Sequence, residues 1–123
     1  MPKVTHFEFT TPDPDAEKSF FGDVFGWTFE GFGGSEYWLA TTGPADGYGI
    51  NGAIMTPPMP GAPRVTNTIG VGDIDTTIEM ALAAGATIAN PKREVPGIGW
   101  LAYLVSPTGI AFGVLQPLPG SMP

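Results

Sequence analysis

The feature that most constrains the fold of this chain is an internal repeat. Val4-Thr5-His6 matches Val65-Thr66-Asn67, Trp38-Leu39-Ala40 matches Trp100-Leu101-Ala102, and Gly52 matches Gly113, all in one order and about sixty residues apart. One such match is easily produced by chance, whereas three in order at a near-constant offset indicate a duplicated unit. At 123 residues there is room for two copies and little else, so the fold class follows from what one copy contains.

Each copy reads as strand, helix and three strands. Val4 to Thr10 alternates a His6, Glu8, Thr10 face with a Phe7, Phe9 face, the period of a half-buried strand. Asp13-Pro14-Asp15 supplies an N-cap with proline at the first helical position; Phe20, Phe21, Val24 and Phe25 then gather on one helical face, and Gly26 ends the helix. Short strands follow at Trp27–Glu30, Tyr37–Thr41 and Gly49–Met55, the last with Asn51 as its polar interior residue. Three prolines and a glycine in Pro57-Pro58-Met59-Pro60-Gly61 exclude a helix or central strand, which makes 56–63 a linker. The order then repeats. Arg64–Val71 is a strand with Ile69 and Val71 on its buried face, Asp73 caps a helix with an Ile74, Ile78, Ala81, Leu82 stripe, and Gly85 ends it. Thr87–Val95 is extended, and two strands flanking the Ser106-Pro107-Thr108-Gly109 turn complete the set. The expectation is a single α+β domain over 1–123, with module 1 at about 4–55, module 2 at about 64–116 and a C-terminal tail at 117–123.

Composition sets the outer bounds. Hydrophobic residues at 42% against 14% charged fit a globular chain with a real core. No apolar run is long enough to span a bilayer and no export signal opens the chain, so a cytoplasmic, membrane-free protein is expected. The absence of cysteine excludes disulfides and thiolate chemistry. A net charge of −7 with five Lys and Arg argues against nucleic acid as a partner and would favour a cationic ligand. No phosphate-binding glycine loop, Gly-x-Ser-x-Gly or Cys–His pair is present, which leaves phosphoryl transfer and nucleophilic hydrolysis without machinery.

With the duplicated unit in place, the chain resembles the vicinal oxygen chelate superfamily of glyoxalases, bleomycin-resistance proteins and dioxygenases. The resemblance runs from Val4 to Gln116 and is carried by Phe20-Phe21-Gly22-Asp23-Val24-Phe25-Gly26-Trp27, Asp73-Ile74-Asp75, Ala83-Ala84-Gly85-Ala86 and Pro96-Gly97-Ile98-Gly99-Trp100. It implies two βαβββ modules forming a curved mixed sheet around a cup that binds a small organic molecule, in a homodimer. Metal-using members of the superfamily take ligands from the first and last strands of each module. Carried over, those positions hold His6, Gly52, Thr66 or Asn67, and Gly113. Aligning the Val-Thr pairs selects Asn67, aligning Asp13 with Asp73 selects Thr66, and strand parity favours Thr66 for the cup. One histidine among four positions falls short of the roughly three His, Asp, Glu or Cys ligands a catalytic metal takes, so neither a metal nor another cofactor is expected.

The remaining candidates are polar and aromatic. His6 beside Glu8 reads either as a general base whose pKa the carboxylate raises and whose tautomer it fixes, or as a hydrogen-bonded histidine left at an ancestral ligand position. Trp38 and Trp100, at matching places in the repeat, read either as cup walls that stack on a flat or cationic ligand or as core between sheet and helices. Tyr103 could orient a carbonyl, and Thr66 completes the ligand-binding set. The functional expectation is a small-molecule-binding glyoxalase- or bleomycin-resistance-like protein without the usual metal site; whether it also turns its ligand over, as a metal-independent lyase- or isomerase-type enzyme using His6 and Glu8, stays open. The alternatives are a protein that sequesters a cationic drug or toxic metabolite, and a metal-dependent glyoxalase- or extradiol-type enzyme.

Overall fold

The structure, a computed structural model, describes residues 2–34 and 36–119. Its elements run β1 (Lys3–Thr10), α1 (Pro14–Phe25), β2 (Thr28–Gly31), β3 (Tyr37–Thr41), β4 (Gly52–Met55), β5 (Val65–Gly70), α2 (Ile74–Ala83), β6 (Thr87–Val95), β7 (Gly99–Val105) and β8 (Ala111–Pro117). This is the α+β, twice-repeated βαβββ order. The chain contacts divide it into two compact units, one from His6 to Thr66 and the other made of the residues before His6 and after Thr66. Of the tail expected at 117–123, Pro117 ends β8, Leu118 N–H donates to the Ile98 carbonyl at 2.9 Å, and residues 120–123 lie outside the described set.

In the His6–Thr66 unit the strand order is β2-β3-β4-β1, with β2–β3 and β3–β4 antiparallel and β4–β1 parallel. The parallel pair follows from the helix between the strands, since a crossover is what parallel neighbours require. Asp13 caps α1 as expected, its Oδ1 accepting from Ala16 N–H at 3.1 Å, and Gly26 ends it in the left-handed conformation at φ 75°. Phe7, Ala40, Ala53 and Ile54 are buried, and an aromatic cluster extends from Phe7 to the helix: Phe21 stacks on Trp27 at 4.9 Å, Phe9 packs on Phe21 at 5.4 Å, and Phe7 lies 4.7 Å from Phe9 and 5.7 Å from Trp27. Each such ring pair contributes about 0.5–1.5 kcal/mol beyond the burial of its area.

In this unit α1 buries little of its apolar face, and one strand is shorter than expected. The apolar stripe of α1 is not buried: Phe20, Val24 and Phe25 are 52%, 56% and 59% exposed, and no residue of the helix is fully buried. Phe9 and Trp27 form the platform for Phe21, so the helix rests on a narrow ridge while its flanks stay in solvent. The strand expected from Gly49 begins only at Gly52. Asn51 is exposed and its side chain accepts from Thr42 N–H (2.9 Å) and the Thr42 hydroxyl (3.2 Å), which also reaches the Ile50 carbonyl (2.7 Å). These bonds pinch the neck of the 42–51 loop and compete with strand pairing.

The second unit repeats the topology as β5-β8-β7-β6, with β5–β8 parallel and the others antiparallel. Asp73 caps α2, Oδ1 accepting from Thr76 N–H at 3.1 Å; this bond, first among its causes, holds the Asp73 carboxyl below its ordinary pKa. Here the core is aliphatic: Val71, Ile74, Ala102, Leu104 and Val114, with Ile69, Ile78, Ala81, Trp100 and Phe112 packed against them. Ile69 and Val71 thus take the buried face read from the sequence. In the Ser-Pro-Thr-Gly turn, Ser106 N–H donates to the Ile110 carbonyl (2.8 Å) and Gly109 N–H to the Ser106 carbonyl (3.0 Å).

Candidate functional site: a histidine–tyrosine–glutamate chain

Alternation along β1 sends Phe7 and Phe9 to the α1 side and His6 and Glu8 to the other. Along β3, Trp38 faces α1, where the Lys18 ammonium lies 4.2 Å from its ring centre, and Tyr37 points the opposite way. The Tyr37 hydroxyl donates to Glu8 Oε2 at 2.7 Å and lies 3.0 Å from His6 Nε2. The backbone registers explain the reach. Tyr37 is opposite Met55, two residues from Ala53, which is itself opposite Glu8 and offers only a methyl on this face.

Burial and charge act on His6 in opposite directions. Desolvation of the part-buried ring dominates and lowers its pKa from the ordinary 6.5, and the Glu8 charge only partly offsets this. Glu8 does push the histidine upward, as expected, but the partial withdrawal of the ring from water outweighs it, so the net shift is downward. A neutral imidazole bonded to a phenol that is itself bonded to a carboxylate can accept, hold and pass a proton at neutral pH.

Tyr37 is the residue that sequence reasoning passed over, because the Trp-Leu-Ala match drew attention to its neighbour. Strand parity carried the signal: Tyr37 lies two residues before Leu39, on the face opposite Trp38. The equivalence of the tryptophans is also corrected. Ala53 is opposite Glu8 and Gly113 opposite Thr68, so by register Trp38, opposite Ile54, matches Ala102, opposite Val114, while Trp100 pairs with Gln116 two residues along. Trp100 packs against the aliphatic core and has Lys92, held by Asp75 at 2.9 Å, 5.4 Å from its ring centre. The structure does not bring Trp38 to the His6–Tyr37–Glu8 chain. Thr66 is buried and Asn67 exposed. Tyr103 packs beside Gly113 together with Thr68.

The metal-ligand positions of the superfamily do not fit a metal here. Gly52 and Gly113 are not equivalent: a side chain on Gly52 would run into the Phe7 ring on the α1 side, and one on Gly113 would meet Thr68 Oγ1 at 2.9 Å and Tyr103 at 3.3 Å on the face away from α2. Among the described residues no group of three His, Cys, Asp or Glu could hold a metal ion. A cavity of about 230 Å³ lies on the α1 side of the first unit, lined by Phe9, Thr10, Thr11, Glu17, Phe21, Arg64 and Val65, and none of the expected site residues lines it. Among the described residues no helix is long and apolar enough to cross a membrane.

Twin βαβββ modules place the chain in the vicinal oxygen chelate superfamily. More narrowly, residues 6–115 match the glyoxalase-like domain model, and the chain belongs to that family. It is 29% identical over 136 residues to CFP32, provisionally named a glyoxylase, of both Mycobacterium bovis and Mycobacterium tuberculosis, with 94% of this chain and 49% of the relative covered. The chain thus spans about half the length of these curated relatives. Among solved structures, hypothetical protein BH1468 from Bacillus halodurans superposes with a TM-score of 0.71 at 13% identity, over 99% of each chain. Methylmalonyl-CoA epimerase from Mycobacterium tuberculosis gives 0.68 at 15%, over 94% of this chain and 88% of the other. At these identities the likeness is one of fold.

Proposed function

We propose that this glyoxalase-like protein is a metal-independent enzyme of the isomerase or lyase type that moves a proton on a small organic molecule, with His6 as base and Glu8 at the far end of the relay. The observation that carries this reading is the hydrogen-bonded chain His6–Tyr37–Glu8, which joins the only histidine to a buried carboxylate through one phenol. The fold is compatible with such chemistry, since methylmalonyl-CoA epimerase shares it, although function resides in the site and not the fold. The metal-dependent alternative finds no group of three His, Cys, Asp or Glu ligands among the described residues. Sequestration of a cation by the tryptophans loses its main support, because Lys18 and Lys92 already sit against those rings. A homodimer, expected from the resemblance, belongs to the same reading and is checked by light scattering.

The test is solvent deuterium incorporation into a panel of carbon acids, methylmalonyl-CoA among them, followed by proton NMR. The folded wild-type protein is expected to catalyse exchange on at least one member and His6→Ala to lose about 10²–10⁴-fold, the usual worth of a general base. Undiminished exchange by His6→Ala would remove His6 from the mechanism.

A further inference from the structure

A phenol has one hydrogen and two lone pairs. In Tyr37 that hydrogen is committed to Glu8 Oε2 at 2.7 Å, so the 3.0 Å contact with His6 Nε2 is a hydrogen bond only if Nε2 carries the proton. A neutral imidazole protonated at Nε2 has its lone pair on Nδ1. We infer that Tyr37 is the positioning residue of this site: it commits Nε2 of His6 as a donor and leaves Nδ1 as the nitrogen that takes a substrate proton. This rests on the proton-transfer reading for the use made of Nδ1, but not for the tautomer itself. The imidazolium formed at Nδ1 would keep its Nε2–H bond to Tyr37, and its charge would face Glu8 through the phenol, so the relay stabilises the protonated base without itself changing bonds.

Because His6 is the only histidine, the imidazole signals in a long-range proton–nitrogen NMR spectrum belong to it without further assignment. At a pH where the ring is neutral, the wild-type spectrum is expected to show a pyrrole-type Nε2 and a pyridine-type Nδ1. In Tyr37→Phe, which keeps the ring and loses the hydroxyl, both nitrogen shifts move toward the average of two exchanging tautomers. The reverse wild-type pattern, with Nδ1 protonated, would mean that the phenol donates to His6 and would overturn the inference, as would an unchanged spectrum in a folded Tyr37→Phe. Should that variant not fold, the wild-type pattern still decides. The two readings fail separately: undiminished deuterium exchange by His6→Ala removes the catalytic role and leaves the tautomer standing, whereas a reversed tautomer leaves the exchange assay untouched.

Discussion

Burial sets the charge of His6, and that has a consequence for stability. Folding favours the neutral ring, since its pKa lies below the ordinary 6.5. As pH falls below that value the unfolded chain takes up the proton first, so the contribution of His6 is fully present above 6.5 and is lost as pH falls through the folded-state pKa. Thermal melts are expected to show a larger loss between pH 7 and pH 5 for the wild type than for His6→Gln; equal losses would contradict the assignment. Gly52 is set by packing, not by chemistry. Gly52→Ala is expected to cost about 1–3 kcal/mol in denaturant melts, because the new methyl enters the space of the Phe7 ring. At this scale the sequence was half legible. Period-two alternation placed His6 and Glu8 on one face and Phe7 and Phe9 on the other. It could not show that Tyr37 reaches diagonally between the first two, because that depends on the register of β3 against β4 and on a small residue, Ala53, at the right place.

Among elements, α1 shows how a correct pattern can mislead about burial. Its caps were readable from Asp13, Pro14 and Gly26, and Asp13→Ala is expected to lower stability by about 1 kcal/mol as the Ala16 N–H loses its acceptor. The Phe20, Phe21, Val24, Phe25 stripe gave the helix but not its contact ridge, which Phe9 and Trp27 determine from outside the element. Phe21→Ala is therefore expected to cost about 3 kcal/mol, the low end for a ring that is only partly buried, and Phe20→Ala under about 1 kcal/mol; comparable losses in denaturant melts would contradict the ridge. Asn51 went the same way. Its neighbours have strand composition, but a side-chain bond to Thr42 holds it in the loop neck, and local hydrogen bonding of this kind has no signature in hydrophobic period.

At the scale of the molecule, the repeated strand–helix–strand order was legible and gave the topology of both halves, although the tryptophan and glycine matches that pointed to it are not equivalent by register. Divergence between the halves was not: one helix is seated by an aromatic cluster and the other on an aliphatic core, and Gly52 and Gly113 look alike in sequence yet face opposite sides of their sheets. The central claim is that one half works as a proton-transfer site built from His6, Tyr37 and Glu8 without a metal. Its most direct test is the pH dependence of deuterium exchange by chelator-treated protein on whichever carbon acid it accepts. The account predicts full activity after chelation, a rate that falls as pH drops through an inflection below 6.5, the ordinary histidine value, and no gain on adding divalent metal. Exchange that vanishes with the chelator and returns with metal, or an inflection above 6.5, would contradict it.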